Sequence, residues 1–316
     1  MARVALTGAS SFTGVWIAEA LAGAGFQVIA PLRRGRDDYA GVRAWRVERL
    51  AAVADIRFET PVASPAFREL MAGAGLDLLA HHAADIPGYR SPDYDAQAGV
   101  ARNLAGVAEA VAAFARGGGR ALLATGTYFE SGEGGGEAAA SPYGLSKALT
   151  NAAQARFARE AGLGFGKFVI PAPFGPWEEG RIVWSLFQAW TEGRPGEIRT
   201  PAYVRDHLPA PLLALAYADA ARAMLDQMAG EVRFRPSGMV MRVGDFARTV
   251  AEEVRLRTGL PCEVLEHPQA AFSEPEVRAN DQPQRFAPGE EAAFWDAYVA
   301  FYDRVRAAGL LAATPA

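Results

Sequence analysis

Tyr143 and Lys147, in the run Tyr143-Gly144-Leu145-Ser146-Lys147, stand four residues apart and share one face wherever that run is helical. An ammonium beside a phenol stabilises the phenolate and draws its pKa down from about 10, so the phenol can exchange a proton with an alcohol or carbonyl near neutral pH. The lysine is conspicuous in this chain: of 32 basic residues, Lys147 and Lys167 alone are lysines. A second constellation lies at the N-terminus, in Thr7-Gly8-Ala9-Ser10-Ser11-Phe12-Thr13-Gly14. If this segment joins a strand to a helix, its backbone N–H groups and the positive helix end form a seat for a pyrophosphate, and its small residues let the phosphates come close. Each motif also has a plainer reading, as a surface Tyr-Lys pair and as an ordinary strand-to-helix turn. His81-His82 invites a metal reading, but no third ligand stands at useful spacing and adjacent side chains on a strand point apart, so no metal site is expected.

The elements that must position these residues follow from hydrophobic spacing. Val4-Ala5-Leu6 is a short apolar strand, a helical pattern runs through Ile17 and Leu21, and Phe26 to Ala30 reads as a second strand. Further strands are expected at 56–58, 76–80, 120–125 and 166–170, with helices near 65–73, 98–115 and 144–161 between them. Alternating strands and helices imply an α/β fold with a doubly wound parallel sheet of Rossmann type. The Gly-, Ala- and Glu-rich segment 132–140 reads as a mobile loop. After residue 170 the rhythm breaks at Pro171-Ala172-Pro173-Phe174-Gly175-Pro176, and helices are expected at 180–193, 245–258 and 290–308. The division is therefore a dinucleotide-binding domain over 1–170, with a return around 204–230, and a smaller substrate-binding region over 171–316.

Composition limits the function classes. Half of the 316 residues are hydrophobic and 22% are charged, with no apolar run approaching the ~18 residues of a membrane span. A net charge of −4 without basic blocks gives no footprint for nucleic acid or an anionic membrane, which leaves a small molecule as the expected partner. A single cysteine, Cys262, and an N-terminus that runs straight into a strand point to the cytoplasm.

Taken together, the Thr7–Gly14 turn and the Tyr143/Lys147 pair resemble an extended short-chain dehydrogenase/reductase of the nucleotide-sugar epimerase/dehydratase group, over nearly the whole chain. Ser11 stands where that family's turn has its middle glycine. The resemblance implies cofactor contacts from Gly8, Ser10, Ser11, Phe12, Thr13, Gly14, Tyr143 and Lys147, and from Ala83, the small residue of His81-His82-Ala83-Ala84 beneath the cofactor. It makes Thr125 the counterpart of the catalytic Ser/Thr, with Thr127 in reserve, and Asn103 the counterpart of a helical Asn that supports the site. Arg205, in Val204-Arg205-Asp206-His207, resembles the family's Arg-Asp motif and is open to two readings, a ligand of a substrate diphosphate or a salt bridge to Asp206 or a neighbour; Ile86, Thr127 and Phe174 complete the expected substrate contacts. Two departures weigh against a nucleotide sugar: Ala172 replaces a family Asn, and Pro209-Ala210-Pro211 replaces an acidic pair. The resemblance further implies a homodimer paired through the helices at 98–115 and 144–161.

At the end of the second strand an NAD enzyme normally offers an acid to the ribose 2′-hydroxyl, whereas this chain reads Leu32-Arg33-Arg34. Two guanidinium forks suit a 2′-phosphate, so NADP(H) is favoured over NAD(H). The expected activity is NADP(H)-dependent reduction of a keto group on a sugar-like substrate, with a nucleotide-sugar 4-ketoreductase foremost. An epimerase/dehydratase, a reductase of hydrophobic ketones with a pocket around Ile86, Phe129, Phe174 and Trp177, and a non-catalytic NADP-binding regulator stay open.

Overall fold

A computed structural model of the chain describes residues 1–73, 75–226 and 230–311. Its first half alternates strand and helix: β1 (Arg3–Thr7), α1 (Phe12–Gly23), β2 (Gln27–Pro31), α2 (Gly41–Leu50), β3 (Ala54–Arg57), α3 (Pro65–Gly73), β4 (Leu78–His81), α4 (Ala96–Leu104), α5 (Val107–Arg116), β5 (Ala121–Thr127), α6 (Pro142–Glu160) and β6 (Gly164–Ile170). The second half holds β7 (Ala172–Phe174), α7 (Ile182–Thr191), β8 (Gly196–Ile198), β9 (Val204–Pro209), α8 (Ala210–Asp226), β10 (Glu231–Phe234), β11 (Pro236–Ser237), β12 (Met239–Arg242), α9 (Val243–Thr258), β13 (Val264–Glu266), β14 (Val277–Arg278), β15 (Gln282–Pro283) and α10 (Glu290–Ala307).

Seven strands form the main sheet in the order β10-β6-β5-β4-β1-β2-β3, every neighbouring pair parallel. The central strands are apolar on both faces because both are covered. Leu6, Val28, Leu123 and Phe168 pack under α1 and α8, while Ala5, Ile29, Leu79, Leu122 and Phe165 join a second cluster with Phe67, Val111, Phe114 and Ala158 from the helices of the other face. The order reverses between β1 and β4, so the carboxyl ends of these two strands open the crevice in which doubly wound sheets bind ligands. The pyrophosphate-type turn leaves the sheet at that point.

The chain returns to this sheet through α8 and then β10, which lies beside β6. The remaining second-half elements build a separate aromatic core of α7, α9 and α10, where Phe174, Trp184, Phe187, Phe246, Trp295, Tyr298 and Tyr302 meet. Phe187 stacks on Tyr302 with centroids 4.6 Å apart, a pair worth about 0.5–1.5 kcal/mol beyond its buried area. β9 is the seam of the second half, pairing with β7, β12 and β14.

Two expectations need correction. The helix expected over 98–115 is two helices, broken at Ala105-Gly106, because Gly106 takes φ +73° and passes so close to Ala63 that a Cβ would stand 2.5 Å from its Cα. The loop expected to be mobile over 132–140 is pinned. The fully buried Arg278 donates to the carbonyls of Tyr128 (2.6 Å), Glu133 (3.3 Å) and Ala138 (3.2 Å), and Glu133 pairs with Lys167 and Arg235. Arg278→Ala should therefore lower stability by roughly 3 kcal/mol or more, since buried carbonyls would lose charged donors. Urea midpoints check the loss, and amide exchange should show it concentrated in 128–138.

Candidate active site

The Thr7–Gly14 turn folds as its composition requires. Ser11 caps α1 by accepting from Gly14 N–H at 3.0 Å, which explains a serine in place of a glycine at the middle of the turn. Gly8 has φ +72° and lies so close to β4 that a Cβ would meet Ala83 N and Cα at 2.9 Å; a Cβ at Gly14 would meet the Gly8 carbonyl at 2.2 Å. Ala83 N–H donates to Thr7 Oγ1 at 3.0 Å, locking the β1 and β4 ends together. The Phe12 and Thr13 N–H groups belong to the first helical turn, where no intrahelical acceptor exists. A close, small-residue cradle with N–H groups facing outward from a helix end fits a dinucleotide pyrophosphate.

Both histidines have hydrogen-bond partners within the fold. His81 Nδ1 lies 3.0 Å from Thr7 Oγ1, and His82 spans Thr13 Oγ1 (2.9 Å, Nε2) and Thr125 Oγ1 (3.1 Å, Nδ1). Burial, with the Lys147 charge adding to it, pushes them down to about 4 and about 3. Each ring is neutral at pH 7, so in His82 one nitrogen donates and the other accepts.

Ser141 caps α6 and Pro142 opens it, which sets Tyr143 in the first turn and Lys147 one turn on. Lys147 is buried and donates to the Thr125 carbonyl at 2.8 Å. Tyr143 is half-buried, with the Tyr89 ring 5.1 Å and the Tyr94 ring 6.1 Å from its own. The expectation that Lys147 draws the phenol down is not met in this geometry. Burial pushes Tyr143 well above the usual tyrosine range, Tyr89, Glu130 and Tyr94 push the same way, and Arg181 opposes them. Lys147 donates to a strand-end carbonyl and is not among the groups that shift the phenol, which is held in its protonated form.

Thr125 is buried beside His82, while Thr127 Oγ1 accepts from Phe129 N–H at 3.4 Å. Among the described residues no hydrogen bond joins Tyr143 to either hydroxyl. Asn103 braces the loop after β4, accepting from Asp85 N–H at 2.7 Å and donating to the Asp85 carbonyl at 3.0 Å. That loop carries Ile86, half-buried, and Tyr89 over Tyr143, and it reaches the second half through Arg90, which donates to the Gly180 carbonyl at 3.2 Å. Arg33 and Arg34 are exposed beyond β2; Arg33 stands 3.7 Å from Asp85, at the edge of the β1/β4 crevice.

Two of the expected substrate contacts lie elsewhere. Arg205 is buried with its donors committed to the carbonyls of Val204 (2.9 Å), Pro275 (3.3 Å) and Glu276 (2.9 Å) and to Glu274 (3.3 Å), its guanidinium over the Tyr203 ring. It ties β9 to the segment before β14 and has no fork left for a diphosphate. Phe174 is a core residue, edge-on to Phe246 (4.9 Å) and Phe294 (5.5 Å), and forms one wall of a cavity of about 510 Å³ with Pro209, Leu212, Met239, Phe286 and Trp295.

Residue types and spacing did not single out Arg181 and Arg46. Arg181, at the start of α7, is half-buried, donates to Pro173 O at 3.1 Å, lies 5.4 Å from the Phe12 ring and acts on Tyr143. It is thus a cation between the phosphate-type turn and the phenol. Arg46 is buried and clamps that turn to the second half, donating to Ser10 O (3.0 Å), Trp177 O (2.7 Å) and Glu179 (2.6 Å). In a chain that uses arginine almost wherever it needs a cation, neither carried a signal of its own.

A parallel sheet with a small-residue turn at its switch point and a Tyr-x-x-x-Lys helix at its carboxyl edge defines a dinucleotide-dependent fold of the extended short-chain dehydrogenase/reductase type. A sequence profile of the NAD dependent epimerase/dehydratase family matches residues 4–225, well over half the chain, and the chain belongs to that family. No individual curated protein matches it significantly. Among solved structures, it resembles a UDP-glucose-4-epimerase from Stenotrophomonas maltophila with bound NAD and formylated UDP-arabinopyranose (TM-score 0.78, 15% identity, 98% of this chain and 100% of that one). It also resembles the UDP-glucuronic acid 4-epimerase of Bacillus cereus in complex with UDP-glucuronic acid and NAD (0.72, 16%, 96% and 99%). A third likeness is to a dTDP-glucose 4,6-dehydratase from Streptomyces venezuelae with NAD (0.72, 17%, 96% and 98%). At these identities the likeness is one of fold.

Proposed function

We propose that the protein is an NADP(H)-dependent oxidoreductase that reduces a keto group of a sugar-like small molecule. The observation that carries this reading is the placement of Tyr143 and Lys147 one turn apart on α6, with Lys147 at the carboxyl end of β5 and Tyr143 under Tyr89. A nicotinamide dinucleotide supplies or accepts a hydride when bound. The turn from Gly8 to Gly14 would hold its pyrophosphate, Ala83 its approach to β4, Lys147 its nicotinamide ribose, and Arg33 and Arg34 a 2′-phosphate. Tyr143, kept protonated by its burial, donates its phenolic proton to the carbonyl oxygen as that oxygen gains charge. Thr125 offers a hydroxyl to the same oxygen.

An acid held in its protonated form suits net reduction, because the step begins with a proton given rather than taken. The solved relatives carry NAD and are epimerases or dehydratases, which makes the cofactor's fate the deciding experiment. A reductase consumes NADPH mole for mole with product; full turnover on a catalytic amount of cofactor would replace the reductase by an epimerase or dehydratase. Mass spectrometry of co-purified ligands would name the substrate.

The commitment of Arg205 to backbone carbonyls, with Ala172 and Pro209-Ala210-Pro211 in place of polar residues, favours a second reading, a ketone without a nucleotide diphosphate. Arg181, whose charge acts on Tyr143, is then a cation suited to one anionic group of the substrate. Leu145 and Leu149, exposed on the outer face of α6, which packs beside α4, support pairing of two copies through these helices.

A further inference from the structure

Lys167, the second of the chain's two lysines, has no part in the proposed reaction, yet it lies buried beneath the candidate site. β4 ends at His81, opposite Ala124, and β5 runs on to Thr127. Tyr128 N–H turns to β6, where it meets the Ile170 carbonyl at 3.1 Å, so by the alternation of a strand the peptide groups of Thr125 and Thr127 face the other edge, past the end of β4. Two side chains complete that edge. Lys147 donates to the Thr125 carbonyl at 2.8 Å, and Glu130 Oε1 accepts the Thr127 N–H at 2.7 Å.

Glu130 is fully buried and held from three sides. Asn151 Nδ2, one turn beyond Lys147 on α6, donates to Oε1 at 2.9 Å; Lys167 Nζ from β6 lies 3.3 Å from Oε2 and 2.5 Å from Glu133. The strand is shaped around this cluster, since a Cβ on Gly126 would stand 2.6 Å from Glu130 Oε1 and 3.2 Å from both Asn151 Nδ2 and Lys167 Cδ. Lys167 has two carboxylates and Glu133 has Arg235 as a further partner at 2.9 Å, whereas among the described residues Lys147 bonds a single neutral carbonyl. A buried ammonium with one neutral acceptor needs a counter-charge nearby.

We infer that Glu130 is a positioning residue for Lys147: its buried carboxylate completes the open edge of β5 beside the lysine and supplies the negative charge that keeps the ammonium charged there. The charged and titratable groups coupled to Lys147 are Glu130 from the loop after β5, Lys167 from β6, and His81 and His82 around the end of β4; Tyr143 stands one turn before it on its own helix. Burial lowers the Lys147 pKa, Lys167 lowers it further, and Glu130 is the group that raises it. The two histidines are neutral at pH 7, so they bring no opposing charge there.

This inference rests on Lys147 being the cofactor-side cation, but its test uses no substrate and can fail separately from the proposed reaction. Protein labelled with ¹³C at lysine gives two ε-carbon signals, and Lys167→Met assigns them; pH titration follows Lys147 directly. Glu130→Gln should lower the Lys147 midpoint by about one pH unit or more, and Glu130→Asp, which keeps the charge, should restore most of it. A midpoint that stays within about 0.3 unit in Glu130→Gln, with the fold intact by circular dichroism, overturns the proposal, because a merely structural role moves stability and not the titration. If Glu130→Gln does not fold, Glu130→Gln/Lys167→Met removes the pair together. The midpoint should still fall there, by less, and an unchanged or raised value overturns the proposal. Should the shift appear while Tyr143→Phe keeps full turnover, the reaction assignment falls and the role of Glu130 stands.

Discussion

Tyr143→Phe should lower turnover at least ~100-fold while leaving cofactor affinity within a few-fold of the parent, because it removes one hydroxyl and leaves the Thr7–Gly14 turn and Lys147 in place for the dinucleotide. The magnitude is the usual worth of a positioned acid. Its direction follows from burial, which holds the phenol protonated. A group whose pKa is raised is fully protonated below its ordinary value of about 10, so the reductive rate should be flat in pH through neutrality and fall only in strong alkali. The Tyr89 ring 5.1 Å away makes the change conservative in packing, since phenylalanine keeps the ring contact. Lys147→Ala is expected to behave differently, reducing both turnover and cofactor binding, since the ammonium holds the β5 end and, in the proposed complex, would also hold the ribose. Steady-state kinetics with NADPH, paired with direct cofactor titration, separate the two; near-normal turnover in Tyr143→Phe would remove the phenol from the mechanism.

How much of this site was legible in the sequence depended on the distance over which its parts interact. The Thr7–Gly14 turn and the Tyr143/Lys147 pair are local patterns, each written within one turn or one strand-helix junction, and the structure brings both to the carboxyl edge of the sheet. The doubly wound sheet was equally legible, because each of its central strands is a short apolar run set between helical patterns. What failed was long-range. Arg205 reads as a substrate ligand until Pro275 and Glu276, 70 and 71 residues on, present their carbonyls to it. The glycine-rich 132–140 segment reads as mobile until Arg278 arrives from β14. Phe174, in a run that breaks the regular rhythm, reads as a substrate contact, but β7 pairs with β9 and turns the ring into the aromatic core. In each case the deciding partner, a backbone carbonyl, a guanidinium or an aromatic face, comes from an element without any local mark. Lys167 lies between these extremes: its rarity flagged it, and its partners, Glu130 and Glu133, were visible only once β5 and β6 were paired.

Replacing Arg33 and Arg34 together by serine should weaken NADPH by roughly 1.5–3 kcal/mol for each charge-assisted hydrogen bond removed, on the order of tenfold or more per arginine, and leave NADH nearly unchanged. The expectation follows from where the two residues lie. β2 ends at Pro31, Leu32 is buried, and the next two side chains emerge exposed beside the β1/β4 crevice, at the place where an NAD enzyme offers a carboxylate. Arg33 already stands 3.7 Å from Asp85, with both side chains about half exposed, so the existing pair is weak and a doubly charged phosphate would outcompete it. Neither arginine supports the fold: both are exposed, and the Arg34 carbonyl, which accepts from Glu59 N–H at 3.2 Å, survives substitution. The melting temperature should therefore hold, and an equal weakening of both cofactors with a lower melting temperature would mark general damage instead of a missing phosphate clamp. The NAD bound by the relatives of known structure makes the parent protein the sharper test. At moderate salt, where exposed charges are partly screened, a working clamp must still bind NADPH more tightly than NADH; equal or reversed affinities would return this chain to the NAD users.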